Sequence, residues 1–208
     1  MIKNLKLTLL IALFGLFVMQ ADVLAQKDAK EKPTKDKSAK EKTTKAKSAN
    51  KELVFPEIEG WEKSGKTQYP QSELGYSVNY ESEEGGRITV YVYDMGMKKI
   101  ESGVEDKNVV AQLNKAESEI KQIAELGYYD NVKKVKSETI TLGGDDGKVK
   151  SLYTLYELTA RGNELTSEIY LFGHNNKFIK FRATRAREET KSDFIMDFLK
   201  EMDKLFAE

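Results

Sequence analysis

Cysteine is absent from the 208 residues, histidine occurs once and proline three times. Without cysteine the chain has no disulfide framework, no thiolate-bound zinc or iron–sulfur site, no thiol nucleophile and no lipid-modified N-terminal cysteine. A lone His174 rules out a multi-histidine metal site. Missing too is any Gly-x-Ser-x-Gly elbow, Gly-x-Gly-x-x-Gly turn or Walker-type loop, so neither a hydrolase nucleophile nor a nucleotide cradle is announced and no cofactor is implied. No uncharged run is long enough to span a bilayer. The most apolar, Leu7–Met19, holds thirteen residues, which as helix cover about 20 Å of a hydrocarbon core of about 30 Å.

That short run instead reads as the centre of an export signal over residues 1–25. Lys3 and Lys6 precede it, and Val23-Leu24-Ala25 supplies the modest side chains a signal peptidase reads, with cleavage expected before Gln26. Residues 26–51 hold ten lysines against four acidic residues and no aromatic. Ala29–Ser38 is repeated, with eight of ten positions matching, as Ala39–Ser48. So polar a stretch buries too little surface to offset the entropy of ordering, and it is expected to be a disordered tether. Its charge of +6 suits either a solvated spacer or contact with an anionic surface. It lacks the arginines and aromatics that stack on bases, so nucleic acid is not an expected partner.

The zero net charge of the whole chain hides a division. Residues 52–208 carry 22 basic and 29 acidic side chains, a net of −7. All ten tyrosines, the tryptophan and seven of nine phenylalanines lie there. This is one domain by length, behind a basic arm.

Within it, Val54-Phe55-Pro56, Ile58 and Gly60-Trp61 read as an extended opening segment that covers an edge. Tyr76–Tyr80 alternates at period two, Glu81–Gly86 turns, and Arg87–Asp94 returns, which predicts an antiparallel hairpin. Val109, Leu113, Ala116, Ile120, Ile123 and Gly127 then recur at spacings of four and three, one face of a helix. Ser102 with Glu105 is the expected capping box, and Gly127 the left-handed residue after the helix. Lys133–Leu142, Val149–Thr159, Leu165–Phe172 and Lys177–Thr184 read as strands joined by the glycine- and asparagine-rich turns 143–147, 161–163 and 173–176. Leu152–Tyr156 is apolar on both faces, which predicts a central strand. Phe194, Ile195, Phe198, Leu199, Met202, Leu205 and Phe206 form a closing helix, begun by Thr190 with Asp193.

The predicted fold is α+β: a mainly antiparallel six-stranded sheet with two amphipathic helices packed on it, in the order β-β-α-β-β-β-β-α. The Gly75-Tyr76 hairpin, the long helix after it and the Lys177-Phe-Ile-Lys-Phe-Arg-Ala-Thr184 strand before a final helix resemble the PsbP-like or Mog1-like domains of exported and organelle-targeted proteins. The similarity covers about residues 65–206. It implies an accessory or binding subunit without catalysis, and it carries no site residue across.

His174 in Gly-His-Asn-Asn reads as a turn residue rather than a general base. Asp145-Asp146-Gly147 and Glu81-Glu83-Glu84 lack the spacing that converges five oxygens on calcium, so no metal site is expected. Tyr76 and Tyr80 share one face of their strand, and Tyr91 and Tyr93 one face of the next. Together they form a candidate aromatic patch for a sugar ring or a partner, unless a helix covers them. Lys180, Arg182 and Thr184 share a face of the last strand, with Arg185 and Arg187 following. Those four basic residues are a candidate anion or partner contact, against the plainer reading of pairing with local glutamates.

These observations lead to the expectation of a non-catalytic accessory or binding protein of the cell envelope, periplasmic or secreted. Its acidic domain would contact an unknown protein or an envelope polyanion, with no transmembrane segment left after signal cleavage. Two alternatives stand beside it. One is an exported hydrolase, which requires a clustered pair of buried carboxylates. The other is polyanion binding by the lysine arm alone, which requires steep salt sensitivity.

Overall fold

The computed structural model describes residues 53–83, 85–187 and 192–207. The expected signal and tether, Glu84, the Thr190 cap and the side chains of Asp193 and Phe194 lie outside the described residues.

The chain runs β1 (Trp61–Lys63), β2 (Thr67–Gln68), a 3-10 turn at Ser72–Leu74, β3 (Tyr76–Ser82), β4 (Gly86–Tyr93), α1 (Lys107–Glu125), β5 (Asp130–Thr141), β6 (Lys150–Ala160), β7 (Asn163–His174), β8 (Lys177–Ala186) and α2 (Ser192–Phe206). All pairings are antiparallel, in the order β1-β3-β4-β8-β7-β6-β5, with β2 also on β3. The six long strands and two helices keep the predicted order, but the sheet has eight strands rather than six. β1 and β2, three and two residues long, are too short to show a period and exist because β3 offers them an edge.

The two helices take opposite faces of the sheet. The α1 stripe of Val109, Leu113, Ala116, Ile120 and Ile123 is buried against Tyr156, Leu158, Leu165, Ile169 and Leu171. Ile195, Phe198, Leu199, Met202 and Phe206 of α2 bury on Val78, Ile88, Val90, Phe172, Ile179 and Phe181. Phe198 is the hub there, with its ring 5.2 Å from Trp61, 4.9 Å from Tyr80 and 6.3 Å from Phe181. Each such large side chain contributes about 1.5–3 kcal/mol by leaving water. Alternation explains how one strand serves both cores: in β4, Ile88, Val90 and Val92 point to α2, while Tyr91 and Tyr93 point to α1.

Three local expectations need correction. β6 lies one place from the edge and β8 is central. β6 is apolar on both sides because Tyr156 and Leu158 pack with the α1 cluster while Tyr153 packs on Tyr170 at 5.0 Å. Asp106, rather than Ser102, caps α1, accepting from the Asn108 N–H at 2.8 Å and from the Glu101 N–H at 2.7 Å. In the β7–β8 turn the left-handed residues are Asn175 and Asn176, with φ of 49° and 59°, while His174 ends the strand. Gly127 does take the left-handed position after α1, at φ 77°.

The β5 edge of the sheet is guarded. β5 is a long exposed strand that carries Lys133, Lys134 and Lys136 and two register irregularities, features that discourage pairing with another chain. Among the described residues, no helix is long and apolar enough to cross a membrane.

Candidate functional site

Register sorts the candidate residues. Tyr76 pairs with Val92 and Tyr80 with Ile88, so even positions of β3 and β4 share a face and the odd-numbered Tyr91 and Tyr93 are on the other. The single aromatic patch is therefore corrected to two pairs on opposite faces of the sheet. Tyr80 is fully buried in the α2 core, donates from its phenol to the Pro56 carbonyl at 2.9 Å, and has Tyr76 partly buried beside it. Tyr91 and Tyr93 are buried on the α1 side.

The basic cluster divides in the same way. Arg185 turns to the α2 side, where it donates to Glu168 at 3.0 Å, and Arg187 lies 3.2 Å from Glu157 and 3.6 Å from Glu164. Those two have the plainer role, ion pairing. Lys180 and Arg182 turn to the α1 side. The Lys180 ammonium lies 4.6 Å from the centre of the Tyr91 ring and 5.6 Å from that of Tyr93, within cation–π range. Arg182 donates to the Tyr129 hydroxyl at 3.3 Å.

Structure adds a residue that the sequence reading passed over. Arg87 stands at the start of β4, opposite Thr184, and Arg182 stands opposite Thr89. Arg87, Lys180 and Arg182 thus occupy one face of two adjacent strands, on a domain whose net charge is −7. Arg87 reaches Glu81 at 3.5 Å, and its Nε and Nη1 are buried with no hydrogen-bond partner among the described residues. The surrounding wall is phenol and hydroxyl: Tyr69 donates to Ser77 at 2.9 Å, and Thr89 to Asn79 at 2.7 Å. Burial pushes the Tyr91 phenol up to about 12, partly offset by the positive charges of Arg182 and Arg87, so both guanidinium groups act on the same hydroxyl. Burial raises Tyr129 as well, again opposed by Arg182. Basic and hydroxyl side chains thus share one face of the sheet.

Elsewhere the buried carboxylates are already engaged. The two buried carboxylates among the described residues, Glu168 and Asp203, are not a pair. Glu168 accepts from Tyr170, Tyr153 and Arg185, while Asp203 accepts from the Lys148 and Val149 N–H groups. An open groove of about 970 Å³ beside α2 is lined by Asp197, Lys200, Glu201 and Lys204. There Lys200 meets Asp197 at 2.9 Å and Lys204 meets Glu201 at 2.6 Å. His174 is half-buried, edge-on to Phe206 at 5.3 Å, and burial lowers its pKa. No group of three or more His, Asp or Glu residues among the described ones is placed to hold a metal ion.

No family model and no curated protein matches the chain. Among solved structures, the solution structure of cyanobacterial PsbP (CyanoP) from Synechocystis sp. PCC 6803 is similar at 12% identity, with a TM-score of 0.42, over 72% of this chain and 79% of that one. The likeness is one of fold, of the PsbP-like kind the sequence resembles, and tells nothing of function.

Proposed function

We propose that this is a non-catalytic accessory protein of the cell envelope, exported by its N-terminal segment, whose folded domain contacts a partner's anionic group with the sheet face that carries Arg87, Lys180 and Arg182. The observation that carries this reading is Arg87: its Nη2 meets Glu81 at 3.5 Å, while its buried Nε and Nη1 have no acceptor among the described residues, on a domain otherwise rich in carboxylates. Orphaned donors of this kind cost about 1–3 kcal/mol each. Their persistence is best understood as preorganisation for an acceptor that arrives from outside. The lysine arm then supplies reach, and contact with envelope polyanions is its secondary role.

Affinity capture from an envelope extract tests this, using the mature protein, a version lacking residues 26–51 and an Arg87→Gln/Arg182→Gln double variant. A protein retained by the first two and lost from the third supports the reading. Capture that disappears with the arm and with added salt moves the function to residues 26–51.

A further inference from the structure

The chain enters the described domain at one end of the groove beside α2. Leu53 packs on the α2 core, and the Phe55 ring lies 6.4 Å from that of Phe206, the last residue of α2. Glu57, Ile58 and Glu59 then form one wall of the groove, with α2 and the β5–β6 turn as the others.

The charges of this groove do not balance. Six carboxylates and three lysines line it. Glu57 is held by Lys63 at 2.5 Å, Asp197 by Lys200 at 2.9 Å and Glu201 by Lys204 at 2.6 Å. Glu59, Asp146 and Asp203 remain, against Lys148 alone. Glu59 and Asp146 are exposed and have no ion-pair partner among the described residues. Asp203 is 7% exposed, and both of its hydrogen bonds fall on Oδ1, which leaves Oδ2 without a partner among the described residues. A carboxylate so far from water favours a cation beside it. No three of these acids converge as metal ligands, so the complementary charge has to be spread along the groove.

The chain carries such a charge next to the groove. Between residues 40 and 51, Lys40, Lys42, Lys45, Lys47 and Lys51 stand against Glu41 alone. The fifteen residues of α2 measure about 22 Å, a length that about seven extended residues cover. Residues 40–51 can therefore follow the groove from its start at Leu53. A segment tethered so closely has an effective concentration on the order of mM, at which weak ion pairs suffice to hold it.

We infer that residues 40–51 dock back into the groove beside α2, with their ammonium groups meeting Glu59, Asp146 and Asp203. The inference is independent of the partner contact proposed above, because Arg87, Lys180 and Arg182 face the α1 side of the sheet. Docked, the arm is withheld from other anions, and salt or a stronger polyanion releases it.

Because the chain has no cysteine, Ser38→Cys places a single nitroxide spin label on the arm of the otherwise intact mature protein. The amide signals of Gly143, Asp146, Gly147 and Lys200 should lose intensity at about 0.1 M salt. They should regain it at about 1 M, where the screening length falls from about 10 Å to about 3 Å. The loss should shrink severalfold in Glu59→Gln/Asp146→Asn, which removes no bond that the fold uses. It should shrink as much in Lys45→Gln/Lys47→Gln, which leaves the domain untouched. Loss that survives both double variants, or that is as large at Lys133 on β5 as at Gly147, overturns the inference. So does loss of the same size when label and observed signals are on different molecules, which assigns the groove to the arm of a second copy.

Discussion

Glu168 and Tyr170, two residues apart on β7, face the α2 side together and share a hydrogen bond of 2.6 Å from the phenol to the carboxylate. Tyr153 of β6 donates to the same oxygen at 3.2 Å, and Arg185 of β8 donates to the other at 3.0 Å. One buried acid thus ties three strands. Burial first, and the charge of Glu168 second, push the Tyr170 phenol well above its ordinary value.

Removing either end of this network gives unequal costs. Tyr170→Phe loses one bond to a charged acceptor, about 1.5–3 kcal/mol. Glu168→Ala leaves the partly buried Arg185 without that acceptor and should cost about 3 kcal/mol. Urea unfolding of both variants checks the order, and equal losses would show that Arg185 re-pairs.

Asp203 joins α2 to the β5–β6 turn through bonds of 2.8 and 2.7 Å from the Lys148 and Val149 N–H groups. Asp203→Ala should lose about 2–3 kcal/mol, since both donors are left partly buried. Asp203→Asn keeps an acceptor oxygen and should lose less. Hydrogen exchange at the Lys148 and Val149 amides is the direct readout.

Gly173 exchanges two backbone hydrogen bonds of 2.8 Å with Gly103, and a Cβ there would sit 2.0 Å from the Glu101 carbonyl oxygen. Gly173→Ala must push the crossing segment away and should cost about 3 kcal/mol. Gly65→Ala meets no atom within 4 Å and should stay within about 0.5 kcal/mol of wild type. A thermal melt of the pair separates local crowding from a general intolerance of substitution.

Hydrogen bonds from the Asn108 and Glu101 N–H groups hold the Asp106 carboxyl below its ordinary value of 3.8. A depressed folded-state pKa means that the cap's contribution is complete above the unfolded-state pKa and is lost as pH falls through the folded one. The stability gap between wild type and Asp106→Ala should therefore be constant from about pH 5 to 7 and shrink below about pH 4. A gap that holds unchanged down to pH 2 would assign the effect to packing rather than charge.

Local order was legible from sequence wherever one segment decides it. Val109 through Ile123 repeats at four and three whatever lies beneath, because an amphipathic stripe is a property of one helix. The same holds for the alternation in β4 and β8 and for the left-handed turn at Gly127. Even the correction at Asp106 is a shift of a few residues within one local motif.

The basic face was not legible, for a reason that Arg87 and Arg182 make plain. Period two tells which residues of one strand share a face, but not which strand lies alongside nor whose odd positions meet whose even ones. β4 pairs with β8 across more than 80 residues of chain, and that register places Thr184 opposite Arg87 and Thr89 opposite Arg182. It also parts Tyr76 and Tyr80 from Tyr91 and Tyr93, and Lys180 and Arg182 from Arg185 and Arg187. Sequence alone determined the helices, the six long strands and their alternation, since these follow from short-range periodicity. The two faces, the central place of β8 and the gathering of Arg87, Lys180 and Arg182 on one face were decided only by long-range hydrogen-bond register, which no single segment encodes.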